Sequence, residues 1–188
     1  MPILATAVAG RFPSAEPKNW SICDECTDLS AWGDRVRRFY AYWLACRPAP
    51  GMLPGRQHID PLAIPDLISR LWMVDVVRVA PSPIAPQGLR FRYRLVGTRE
   101  VETLQREVTG HWFDAVHARS RGRPVTLDRF AQIAEQGVAT YRKGSVNLIH
   151  HKDHQIVENC MVPLATDGRR VDIIAIFSAL YWNDGREA

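Results

Sequence analysis

The chain has 188 residues, with 24 Lys plus Arg against 20 Asp plus Glu and a net charge of +4. That length fits one domain with an extension, and a hydrophobic fraction of 46% excludes global disorder. The small positive excess does not point to a nucleic-acid partner, and no apolar run reaches the ~18 residues that cross a bilayer, so neither nucleic acid nor membrane is an expected partner.

Residues 1–28 carry Pro2, Pro13 and Pro17 and show no period, and read as a loosely ordered lead-in. Met1 to Gly10 is apolar but lacks a basic residue ahead of it. Arg11 falls on the wrong side for a signal peptide, so a cytoplasmic location is expected. Cys23, Cys26, Cys46 and Cys160 are too sparse for a disulfide framework and read as reduced thiols. Cys23-Asp24-Glu25-Cys26 is a CxxC, but a structural zinc site needs two further ligands and no second CxxC exists. The flanking acids would also raise the thiol pKa values, so two incidental thiols are the reading and no metal is expected.

Leu29, Trp32, Val36, Phe39, Tyr40 and Trp43 recur at three- and four-residue spacing, predicting an amphipathic helix over 29–47. Pro48, Pro50 and Pro54 prevent its continuation, and residues 48–188 form the main domain. Its aromatic stripe can cover a sheet or pair with a second copy, and a homodimer through these six residues is expected. Asp60-Pro61 opens a short helix with Leu62, Ile64, Leu67 and Ile68 on its apolar face. Strands follow at 71–79 and 89–96, joined by a proline-rich loop. In the second, Phe91, Tyr93 and Leu95 face one way and Arg90, Arg92 and Arg94 the other. That cationic row reads as solvated, with pairing to acidic groups as the alternative. Gly97 permits a turn and Thr98 can cap the next helix.

Short helical pieces are expected at Thr98–Gln105 and Trp112–His117, then a clearer helix at Thr126–Gln136 stopped by Gly137. Arg119, Arg121 and Arg123 make a weak basic stripe without interleaved aromatics. Three last strands read as 140–150, 155–165 and 170–181, with turns at Lys152-Asp153-His154 and Thr166-Asp167-Gly168. The order is α+β. His150, His151 and His154 sit round a hairpin tip, where adjacent strand residues point to opposite faces, so they read as solvated rather than metal-binding. There is no Gly-x-Ser-x-Gly, no phosphate loop and no His-Glu-x-x-His, and Asp114 is equally a base or a helix cap; no catalytic residue is assigned.

Four segments in order carry a resemblance. Arg56-Gln57-His58-Ile59-Asp60-Pro61 precedes the first long strand, and Phe91-Arg92-Tyr93-Arg94-Leu95-Val96-Gly97-Thr98 forms the second. Thr109-Gly110 follows, and Pro163-Leu164-Ala165-Thr166-Asp167-Gly168 makes a late turn. Over roughly residues 30–182 the chain resembles a bacterial PAS-like family. The resemblance implies a five-stranded antiparallel sheet with helices on one face and, here, the N-terminal amphipathic helix added. It implies a space between sheet and helices that often holds a small ligand or nothing, and a sensory or dimerisation role with output expected through another polypeptide or through oligomerisation. Phe91, Tyr93, Leu95, Trp112, Phe113, His117, Phe130, Ile133 and Tyr141 are the candidate pocket residues. His111 and His117 are the histidines that could meet a haem, yet nothing marks either as an axial ligand. Flavin photochemistry in related folds uses a helical-segment cysteine, and none lies between Cys46 and Cys160. Haem and flavin are therefore not expected, and the cofactor stays unassigned. The function expected is a non-catalytic sensory or signalling module binding a small ligand or a protein partner. The alternative is a small-molecule-binding enzyme on a curved antiparallel sheet.

Overall fold

The computed structural model describes residues 19–118, 125–145, 155–182 and 184–186. Met1–Gly10, Arg119, Arg121, Arg123, the end of the 140–150 strand and the His150, His151 and His154 tip lie outside them. The architecture is α+β. Strands β1 (Ser21–Cys23), β2 (Leu71–Arg78), β3 (Leu89–Val96), β4 (Ala139–Ser145), β5 (Gln155–Leu164) and β6 (Ile173–Trp182) form one sheet. Its order is β1-β4-β5-β6-β2-β3, and every pairing is antiparallel. Helices α1 (Asp34–Ala45), α2 (Thr98–Leu104), α3 (Phe113–Val116) and α4 (Val125–Gln136) complete it.

The five expected strands are present, and a sixth joins them. Ser21–Cys23, expected within the lead-in, pairs with β4 at the sheet edge, and Trp20 Nε1 donates to Gln132 Oε1 on α4 at 3.0 Å. Three residues carry too short a period to read from sequence. β6 begins at Ile173 rather than residue 170. Asp167 Oδ1 accepts from the backbone N–H of Arg169 and Arg170, at 2.8 and 2.7 Å, and holds them in the turn.

The sheet carries apolar residues on both faces, so each face needs cover. On one face α1 lies over β5 and β6 and buries Val36, Phe39, Tyr40 and Trp43. Phe39 stacks on Phe177 with ring centroids 5.6 Å apart, and Trp43 Nε1 donates to the Pro163 carbonyl at 2.9 Å. Each such side chain stabilises the fold by roughly 1.5–3 kcal/mol through burial. The expected helix over 29–47 is therefore shorter. Leu29 and Trp32 precede it, because Gly33 N–H is tied to Glu158 Oε1 at 2.7 Å and the helix starts after that anchor. Trp32 instead stacks on Tyr141 at 4.0 Å. The stripe expected to pair with a second copy is covered within the chain: Trp32, Val36, Phe39, Tyr40 and Trp43 are all buried, and Leu29 is half-buried.

The segment after α1 also departs from expectation. It is a series of 3-10 turns, Arg56–His58, Pro61–Ala63 and Ile68–Arg70, not one helix. Asp60 does cap, accepting from Leu62 N–H at 2.9 Å, and Ile64 and Leu67 are buried, but Leu62 is 85% exposed. The Tyr42 hydroxyl donates to the Asp60 carbonyl and accepts from Asp60 N–H, so this motif pins α1. Gly97, not Thr98, is the N-cap of α2, and its φ is an ordinary −64°. Its role is clearance, since a Cβ there would lie 2.4 Å from Ser69 O and 2.6 Å from Ile68 O.

Candidate functional site

The other face of the sheet is covered by α2, α3 and α4. Phe91, Tyr93, Phe113, Phe130 and Ile133 meet there in one core cluster, all buried. Four of them pack ring against ring. Phe91 and Phe113 lie 5.0 and 5.2 Å from Phe130, and Tyr93 lies 5.6 Å from Phe113.

Three candidates lie elsewhere. Leu95 is on the α1 face, because β3 carries one extra residue. Met73 pairs with Leu95 but Val74 pairs with Tyr93, and this bulge turns Leu95 away. Tyr141 is also on the α1 face, where its hydroxyl donates to Glu158 Oε1 at 2.9 Å. Its neighbour Thr140 faces α4 instead, because buried Arg129 needs acceptors there. Arg129 Nε donates to Thr140 Oγ1 at 2.6 Å, Nη2 to the Thr140 carbonyl at 2.8 Å and Nη1 to Asn159 Oδ1 at 2.6 Å. Burial pulls the Arg129 pKa down to about 9. Trp112 bridges to Arg92 along the free edge of β3, and the Arg90 guanidinium sits over its ring at 4.0 Å.

His117 stays in the layer. Its Nε2 and the Tyr93 hydroxyl share a hydrogen bond of 3.0 Å, and its ring lies 4.3 Å from that of Phe113. Burial, and then the charge of Arg106, lower its pKa, which favours the neutral imidazole. Tyr93 is pushed up, first by burial, with Glu100 raising it and Arg106 opposing.

Glu100, in the first turn of α2, is the group that sequence reading passed over. Its Oε1 is buried and makes no hydrogen bond among the described residues. Burial pushes its pKa up to about 7, although the charge of buried Arg70 draws the value down. In the sequence it looks like an ordinary acid at a helix start. The signal was Leu104, four residues on and half-buried, which puts Glu100 on the same side of the helix. Arg129 was likewise legible, four residues before buried Ile133.

No family model and no curated protein matches the chain. A solved structure described as an RNA-binding light-oxygen-voltage receptor is similar to it. The two are 15% identical, with a TM-score of 0.37, over 70% of this chain and 36% of that one. An overlap of that extent assigns neither family nor function.

The remaining candidates have structural partners. Arg92 and Arg94 both bond Asp75, and Arg90 grips Asp114 with two nitrogens, so the cationic row is paired within the chain rather than simply solvated. Asp114 is thereby engaged, and it caps nothing: Trp112 is the N-cap of α3, without a side-chain hydrogen bond. Cys23 is buried and its thiol is pushed up to about 11 by that burial, with adjacent Asp24 only a lesser cause. Cys26 is exposed. Among the described residues no three His, Cys, Asp or Glu side chains gather to hold a metal, and no helix is long and apolar enough to cross a membrane.

Proposed function

We propose that the protein is a non-catalytic sensory module. A small ligand bearing a hydrogen-bond donor meets Glu100 under α2, and the resulting shift of that helix is passed to a protein partner. The observation that carries this reading is the buried, unpartnered Glu100 oxygen, whose charge acts on Tyr93, in the layer of short helices. A buried acceptor without a partner costs about 1–3 kcal/mol, and a donor from a ligand would offset that cost. Short helices such as α2 are also the part of a fold most easily displaced. The paired tyrosine and histidine supply further polar contacts for such a ligand. Self-association, expected from the aromatic stripe, would have to use another surface, because that stripe is buried.

Native mass spectrometry of the purified protein tests the reading. The expected result is a small molecule retained by the wild type and lost in Glu100→Gln. A wild-type protein that carries only the mass of its own chain would overturn it.

A further inference from the structure

A groove of about 680 Å³ lies at the end of the sheet where β2 stops and β3 starts. Its walls come from Arg78 and Val79, Gly88 and Leu89, the C-terminal turn of α4 at Ala134–Gly137, and Arg169–Val171 of the β5–β6 turn. Its size is that of a small-molecule site. Leu89, Ala134 and Val171 give it an apolar side. Of the charged residues that line it, Arg78, Arg169 and Arg170 are cations and Glu135 is the acid. A second cavity of about 480 Å³ shares Arg78 and Arg170 with it, and there Asp167 and Asp172 line the wall.

The arginine pair is held by its backbone. Arg78 Nη1 donates to the Val171 carbonyl at 3.0 Å, which fixes the guanidinium at the groove's rim. Asp167 Oδ1 is engaged by the backbone N–H groups of Arg169 and Arg170, so the turn projecting both side chains is set by its own hydrogen bonds. The Arg170 charge bears on Arg78 more strongly than Asp172 or Asp167 does, and it joins burial in lowering the Arg78 pKa. Two like charges are thus held near one another, with Asp172 and Asp167 offsetting part of their repulsion.

We infer that this groove is a binding site for a small organic anion: an oxyanion seated between Arg78 and Arg170, with an apolar body along Leu89, Ala134 and Val171. Guanidinium forks match the two oxygens of a carboxylate or a phosphate, so either headgroup fits this chemistry. The site is separate from Glu100 and independent of the reading built on it.

The test is a titration of the ¹⁵N-labelled full chain at low ionic strength with four probes. Phenylacetate and phenyl phosphate carry both features, inorganic phosphate has the charge alone, and 2-phenylethanol has the ring alone. The expected result is saturable shifts of the Gly88, Gly137 and Val171 amides with one or both aromatic anions, at a Kd of about 1 mM or tighter. Which anion binds tighter identifies the headgroup. Inorganic phosphate should bind at least fivefold more weakly, and the alcohol should leave these amides unmoved. Arg170→Gln, at an exposed position, should weaken binding about tenfold, whereas Arg99→Gln on α2 should leave it unchanged. Binding unaffected by Arg170→Gln would overturn the assignment. So would equal binding of the alcohol, shifts confined to other parts of the chain, or no saturable binding of either aromatic anion.

Discussion

Replacing Glu100 by Gln removes a titratable group while keeping its shape. The folded protein holds the Glu100 proton up to about pH 7, whereas an unfolded chain releases it near the ordinary 4.5. Between those values the unfolded state gains from ionising and the folded state does not. Wild-type stability therefore falls as pH rises through that window, and levels off above about pH 7. The shift corresponds to about 3 kcal/mol, reduced to about 2–3 kcal/mol because part of the residue remains in contact with water. His117 acts oppositely. Its lowered pKa lets the unfolded chain take up a proton first, so its contribution is lost as pH falls below its ordinary 6.5. The difference between variant and wild type cancels that term and isolates Glu100. Urea denaturation at several pH values should find Glu100→Gln no more stable than wild type at about pH 4.5, and about 2–3 kcal/mol more stable at about pH 8. A difference that stays constant with pH would refute the reasoning, as would a variant that is the less stable form at pH 8.

Gly97→Ala should cost about 2–4 kcal/mol, because its Cβ would press on the backbone oxygens of Ser69 and Ile68, which cannot swing aside as a side chain could; thermal unfolding reads this directly. Thr140→Val suits a strand better than Thr does, yet it should cost about 2 kcal/mol in urea denaturation, because it strips an acceptor from the buried Arg129 guanidinium. Phe39→Ala should cost about 3–5 kcal/mol and leave the oligomeric state, measured by light scattering, unchanged, since Phe39 packs on Phe177 inside the chain. A change in association without loss of stability would return the aromatic stripe to an interface.

Where hydrophobic period spoke clearly, the sequence was readable. β2, β3, α4 and the buried aromatics Phe91, Tyr93, Phe113 and Phe130 follow from alternation and helical spacing, with Gly137 ending α4 as expected at φ +65°. What escaped depends on long-range partners. Leu95 faces the wrong way because of a bulge that only the pairing with β2 reveals. α1 starts late because Gly33 is held by Glu158, 125 positions away. A Cβ at Gly33 would sit 2.3 Å from the Tyr181 hydroxyl, so a side chain there would require the Tyr181 and Glu158 side chains to shift. Tyr141 turns to one face because Arg129 claims Thr140 on the other. Glu100 looks like any helix-start acid until its burial is seen, with only the charge of Arg70 to offset it. Composition also hid β1, whose three residues carry no pattern of their own.

β6 lies in the middle of the sheet, bonded to β5 on one side and β2 on the other. It is also the last of the six strands to be made. Within the sheet, the β2–β3 and β4–β5 hairpins meet only through it. Trp72 and Ser178, joined side chain to side chain, stand 106 positions apart. Pairings that distant form slowly, since a long loop must close before any contact rewards it. During synthesis each hairpin therefore waits with one edge open and its apolar faces uncovered. A chain stalled before Ile173 presents the free edges of β2 and β5 together, and that nascent form, rather than the finished protein, is where aggregation would begin.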